Sequence, residues 1–88
     1  MLIAHVRLTA QHRSTDRTSH VVDGQPMPQP AQLRVEQLEG DPGYYLFYCT
    51  AEGEELSDTY HETVEGALSQ AEWEFGVRAD EWTRVTTG

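Results

Sequence analysis

The sequence contains no lysine, a single cysteine and no apolar stretch near the roughly 18 residues needed to span a bilayer. Each shortage excludes something. Without lysine, all six cations are arginines, whose guanidinium groups suit forked contacts with carboxylates, although genome composition also produces such a bias. With Cys49 alone, no internal disulfide can form, so the fold has to hold without one, as suits a reducing cytoplasm. The opening residues, Met1-Leu2-Ile3-Ala4-His5-Val6-Arg7-Leu8, have no basic leader before the apolar run and are broken by His5 and Arg7. That is unlike a secretory signal, and the expectation is a cytoplasmic protein with no membrane partner.

Positive charge is scarce as well. Fifteen Asp and Glu against six Arg give a net charge of −9, which speaks against nucleic acid or an anionic membrane surface as a partner. A basic protein partner, or self-association, fits better. The charge is also uneven: Met1 to Val35 carries four arginines against two aspartates, whereas the remainder carries two arginines against thirteen carboxylates. At 88 residues the chain fits one domain, residues 1–88. A domain of this size buries only about 60% of the surface its unfolded chain exposes, which leaves little room for a large enclosed active site.

What is present begins with alternation. Leu2, Ala4, Val6, Leu8 and Ala10 fall on one side of an extended chain, with Ile3, His5, Arg7 and Thr9 on the other, the period of a half-buried strand over 2–10. Residues 11–31 lose all periodicity and run through Val21-Val22, able to pair briefly as an edge strand, an Asp23-Gly24 turn signal and Pro26-Met27-Pro28-Gln29-Pro30. This is a long, proline-containing connection of a length uncommon in small domains. Leu33 and Val35 alternate with Arg34 and Glu36 in a second strand over 32–38. Glu39-Gly40-Asp41-Pro42-Gly43 then makes a hairpin loop into Tyr44–Ala51, a strand apolar or aromatic on both sides and therefore central. After a turn at 52–55, residues 56–60 suit a further short strand.

Val64, Ala67, Leu68, Ala71 and Phe75 recur at the helical period and fall within about 100° of arc. Thr63, or Asp58 and Thr59, can supply N-cap oxygens, and Gly76 can close the helix. Residues 79–82 read as a single turn, and 83–86 as a last extended segment. Short turns between strands imply antiparallel neighbours, and one apolar helical stripe implies one sheet face to cover. The expected fold is an α+β two-layer sandwich: an antiparallel sheet of three to four strands packed by one main amphipathic helix.

Residue types that carry chemistry are present without the patterns that use them. His12, Asp16 and His20, spaced four and four, would align as metal ligands on a helix, but their segment has no apolar stripe and reads as a polar loop. His61-Glu62 begins like a zinc-protease helix, yet no second histidine follows four residues later. Cys49 has only acidic charges near it in sequence and reads as a buried structural thiol. No nucleophile elbow, phosphate loop or paired cysteine motif occurs, and turn carboxylates such as Glu54-Glu55 are held near ordinary acidity by water. The sequence supports no catalytic residue, no metal site and no cofactor, so the protein is expected not to be an enzyme.

Two surfaces rise above this background. Trp73 falls on the side of the helix opposite the apolar stripe, in line with Gly66, Ser69 and Gln70, making a notch that could dock a partner unless the tail at Val77 or Trp82 covers it. The sheet face away from the helix is assigned Ile3, His5, Arg7, Tyr44, Leu46 and Tyr48. That is too apolar for open solvent, so the proline-rich loop, a second copy or another protein should cover it. His5, Tyr44, Leu46 and Tyr48 therefore join the helix notch as partner-binding candidates.

The phrases Gly43-Tyr44-Tyr45-Leu46-Phe47-Tyr48-Cys49, Asp58-Thr59-Tyr60-His61-Glu62-Thr63, Gln70-Ala71-Glu72-Trp73-Glu74-Phe75-Gly76-Val77 and Glu81-Trp82 together resemble a family of small uncharacterised bacterial proteins. More distantly, a tyrosine-rich strand leading to a threonine-capped helix is similar to the sheet-and-helix part of HicB-type antitoxins. The first resemblance implies only a small stand-alone bacterial domain. Three readings follow: an acidic, non-enzymatic interaction module of antitoxin or immunity type, a small-molecule or metal binder using the histidines and tyrosines, and a structural homo-oligomer. The second predicts that His5, His61 and a tyrosine converge, or that the loop brings His12 and His20 together.

Overall fold

A computed structural model describes residues 1–9, 12, 21–22, 25–26 and 29–85. Seven strands and one α-helix run in the order β1 (Leu2–Arg7), β2 (Val21–Val22), β3 (Gln25–Pro26), β4 (Gln32–Glu36), β5 (Tyr44–Cys49), β6 (Glu55–His61), α1 (Val64–Phe75) and β7 (Thr83–Arg84). Five of them form one antiparallel sheet in the spatial order β6-β5-β4-β1-β7, so the architecture is α+β as expected, with more strands than the three to four expected. The addition is β7, only two residues long, which pairs Arg84 with Ala4 and Thr83 with His5. Two residues cannot display a period, so only the pairing partner identifies them as a strand.

Along the chain, β4, β5 and β6 are joined by turns, and each hairpin partner lies beside its predecessor. β1 sits next to β4 across the long connection, whose ends are tied by Leu8 N–H to Ala31 O and Ala31 N–H to Cys49 O, both at 2.8 Å. Val21-Val22 does pair, but with Gln25–Pro26 in a separate two-stranded ladder and not on the edge of the main sheet. Most of the 11–31 connection, including Asp16, His20 and the Asp23-Gly24 turn signal, lies outside the described residues.

The helix forms where the periodicity put it. Thr63 is extended and its Oγ1 accepts from Gly66 N–H at 3.0 Å, while Gly76 takes the left-handed conformation, φ 71°, that lets its N–H close on Glu72 O. Ala67, Leu68, Ala71 and Phe75 turn to the sheet, where Ala4, Val6, Leu33, Val35, Leu46 and Tyr48 receive them. Val77 and Trp82, from the segment after the helix, complete this core. The tail therefore packs into the core, and Trp73 remains 40% exposed.

One face assignment is corrected here. Leu46 and Tyr48 were expected on the helix-free face, and both are fully buried beneath the helix, with Tyr44 packed against the same cluster. Register explains it: Leu33 lies opposite Tyr48 and Val35 opposite Leu46, so the apolar side of β4 and the Tyr44-Leu46-Tyr48 side of β5 are one face. Strand parity is set by the hairpin between them, and a shift of one residue would exchange every side chain between faces. The helix-free face instead carries Tyr45, Phe47 and Cys49.

Candidate functional site

Polar side chains stand beside the apolar ones on the helix-free face. Arg34, in register between His5 on β1 and Phe47 on β5, reaches Glu36 Oε2 at 3.5 Å and Glu55 Oε1 at 3.6 Å, and its Nη2 donates to Gly53 O at 3.4 Å. A guanidinium head held among acceptors with its stem over the sheet is an effective lid for apolar neighbours. Phe47 is only 7% exposed and Cys49 is fully buried. Burial pushes the Cys49 thiol up, with the Arg34 charge opposing, and the residue is buried as its strand position suggested.

Toward β6 the same face becomes aromatic. Tyr45 stacks on Phe47 with centroids 5.9 Å apart and meets Tyr60 edge-on at 5.1 Å. Asp41, in the hairpin loop, gathers both phenols, accepting from Tyr45 OH at 2.9 Å and from Tyr60 OH at 3.3 Å, and it also accepts from Gly43 N–H at 3.1 Å. These bonds favour its charged form and hold the carboxyl below its ordinary pKa, the Gly43 N–H most of all. Gly43 is required for this clamp, since a Cβ there would fall 2.0 Å from the Tyr60 hydroxyl. Tyr60 itself stays 48% exposed. The sequence reading missed Tyr45 and Tyr60 because it put Leu46 and Tyr48 in their place.

Beyond Tyr60 the sheet ends. β6 is seven residues long, and no strand pairs with its outer side among the described residues. Glu55 and Asp58 on this strand, Glu52 and Glu54 just before it and Glu62 just after it are all exposed, and no arginine occurs between Arg34 and Arg78. This concentration realises the sequence asymmetry in space.

Between helix and sheet lies a buried polar network. The helical stripe includes Glu74, 3% exposed, which accepts from Tyr48 OH and from Gln70 Nε2 at 2.7 Å. The Tyr48 hydroxyl also approaches Thr59 Oγ1 at 3.5 Å, and Thr59 Oγ1 lies 2.7 Å from His61 Nε2. Burial and the Glu74 bond push the Tyr48 phenol far above its ordinary value, so Tyr48 stays a donor. Burial lowers His61, partly offset by the Glu74 charge. Glu74, three residues past Ala71 on the apolar stripe, was the available signal: a carboxylate on a core-facing position demands a buried donor.

Of the expected partner-binding residues, Trp73 and Ser69 are exposed and Gly66 is half-buried on the outer side of the helix, whereas Gln70 turns to Glu74. His5 is half-buried on the helix-free face, and Leu46 and Tyr48 lie in the core. His5 and His61 do not converge, since they occupy opposite faces and different ends of the strand order. His12 is tied differently from the expected loop ligand: its Nδ1 accepts from Thr9 N–H at 3.0 Å, which places the neutral ring's proton on Nε2, 2.7 Å from Glu81 Oε1. With both nitrogens engaged, the ring is a structural tie between the chain after β1 and the turn after α1. Hydrogen bonds from the Arg78 backbone and from His12 hold the Glu81 carboxyl below its ordinary pKa. Among the described residues no group of three or more His, Cys, Asp or Glu could hold a metal, and no helix is long and apolar enough to cross a membrane.

No protein-family model, no curated protein and no solved structure matches the chain.

Proposed function

We propose that the protein is a non-enzymatic interaction module of antitoxin or immunity type, working in a reducing cytoplasm, whose acidic β6 edge binds an arginine- or lysine-rich segment of a partner protein. The observation that supports this most is the open outer side of β6, ringed by exposed carboxylates in a stretch without arginine. An open strand edge offers backbone donors and acceptors to an extended peptide, and the carboxylates select for basic side chains. Tyr60, half exposed between Asp58 and Glu62, offers a ring face for a guanidinium. Exposed carboxylates also steer a basic partner over distance, which raises the association rate more than the final affinity.

The test is calorimetric titration with an arginine-rich extended peptide and with the same peptide carrying citrulline for arginine. The reading expects binding of the first only, weakening about tenfold or more as salt shortens the screening length, and lost in a Glu55→Arg/Asp58→Arg variant. Equal binding of both peptides, or no loss in the charge-reversed variant, would overturn it.

A further inference from the structure

The opposite end of the sheet has the reverse character. Where β1 ends, a cleft of about 640 Å³ opens on the helix-free face, lined by His5, Arg7, Thr9, His12, Glu81 and Thr83. His5 and Arg7 stand two residues apart on one strand and share a face, about 7 Å from one another along the chain. Thr83 lies directly across from His5, on β7.

The donors and acceptors of this cleft are unevenly committed. Among the described residues Glu81 is its only carboxylate, and both oxygens are in use, Oε1 with His12 and Oε2 with Arg78 N–H at 2.7 Å. His12 is engaged at both nitrogens, so the wall it forms with Glu81 is fixed. Gln32, opposite Arg7, spends its amide N–H on Thr50 O at 3.0 Å. Among the described residues, by contrast, the side chains of His5, Arg7 and Thr83 make no hydrogen bond or ion pair. In a chain with net charge −9, a concave place that holds a free guanidinium, a free imidazole and a free hydroxyl beside an occupied carboxylate is a local exception.

We infer that this cleft is a binding site for a small oxyanion-bearing ligand, a phosphate monoester or a carboxylate, gripped by Arg7 and His5 with Thr83 donating beside them. Arginine presents a planar fork that matches two oxygens of either group, and charge-assisted bonds of this kind are among the stronger ones. His5 adds a second donor from the same face. The site is separate from the acidic edge, so either reading can stand without the other.

The test is an NMR titration of the full chain with inorganic phosphate, with sodium chloride adjusted to hold ionic strength constant, and in parallel with succinate. Saturable shifts confined to His5, Arg7 and Thr83 are expected, and the tighter of the two anions identifies the ligand as a phosphate or a carboxylate. Arg7→Gln and His5→Gln should each weaken binding by about tenfold or more. Arg84→Gln removes the same charge one residue beyond Thr83 on the other face and should leave affinity within about twofold. Shifts that merely follow ionic strength, or an Arg84→Gln loss as large as that of Arg7→Gln, would show general attraction to a basic edge and overturn the site. So would the absence of shifts with both anions. The Glu55→Arg/Asp58→Arg variant should bind phosphate unchanged, which keeps this result independent of the peptide test.

Discussion

Both faces of the sheet carry aromatic and apolar side chains, yet these are kept from water in different surroundings. On one face, Leu33, Val35, Leu46 and Tyr48 lie under a helix and are fully buried. On the other, Phe47 and Cys49 lie under a single arginine and its carboxylate partners. A helix excludes water by packing density, so the covered face has little polar chemistry to offer, apart from the Tyr48-Glu74 network. A polar lid leaves charged groups at the surface, and both proposed binding regions lie on or beside that face. Both proposals therefore draw on groups that the helix leaves uncovered.

The largest test of this contrast is Leu46→Ala. Fully buried in the packed layer, it should cost about 2–5 kcal/mol in urea unfolding. A cost below about 1 kcal/mol would mean that Leu46 faces away from the helix.

Next comes the network that crosses the covered face. Tyr48→Phe removes a donor from buried Glu74 and should cost about 1–3 kcal/mol. Adding Glu74→Leu should recover most of that loss, because removing both partners is cheaper than stranding one. If the double variant is no better than the single one, the network is not what holds helix to sheet at this point.

On the open face Arg34→Met should change stability by only about 0–1 kcal/mol, since its ion pairs are partly solvated and the stem supplies most of the cover. A loss as large as that of Leu46→Ala would erase the distinction between the faces.

The smallest effect is a slope. His61 has an ordinary value near 6.5, and burial lowers it in the folded protein, so below that pH the unfolded chain takes up protons that the folded chain refuses. Its contribution is therefore complete above about pH 6.5 and is lost as pH falls toward the lowered value. His61→Gln should flatten chemical stability between about pH 5 and 7. The acid-side loss from Asp41 and Glu81, whose carboxyls are lowered and which stabilise only while ionised, should survive that substitution.

Much of the architecture was legible because it rests on local chemistry. The helix from Val64 to Phe75, its Thr63 cap and its Gly76 stop follow from side-chain spacing and backbone preference within a dozen residues. The Ala4-Val6 and Leu33-Val35 faces likewise follow from alternation. The face of β5 was not legible, since Tyr44–Cys49 is apolar on both sides and alternation carries no sign there. Nor was β7, whose two residues become a strand only by pairing with β1. The binding candidates shared this fate: Trp73 was placed correctly on the outer side of a helix, whereas Tyr60 and the Arg7-His5-Thr83 cleft depend on which strands lie side by side.

By itself, then, the sequence determined the class of fold, the identity of the helix, the buried single cysteine and the excess of carboxylates in the second half. Those properties are sums or short periods, and neither needs to know where distant residues go. The tertiary structure alone decided which side of β5 met the helix, that Glu55 and Asp58 lie on an edge strand, and that His12 spends its ring on Glu81 while the side chains of His5 and Arg7 bond to no other described residue. Each of these depends on hairpin parity or on pairing across long stretches of chain, where a shift of one residue exchanges buried for exposed.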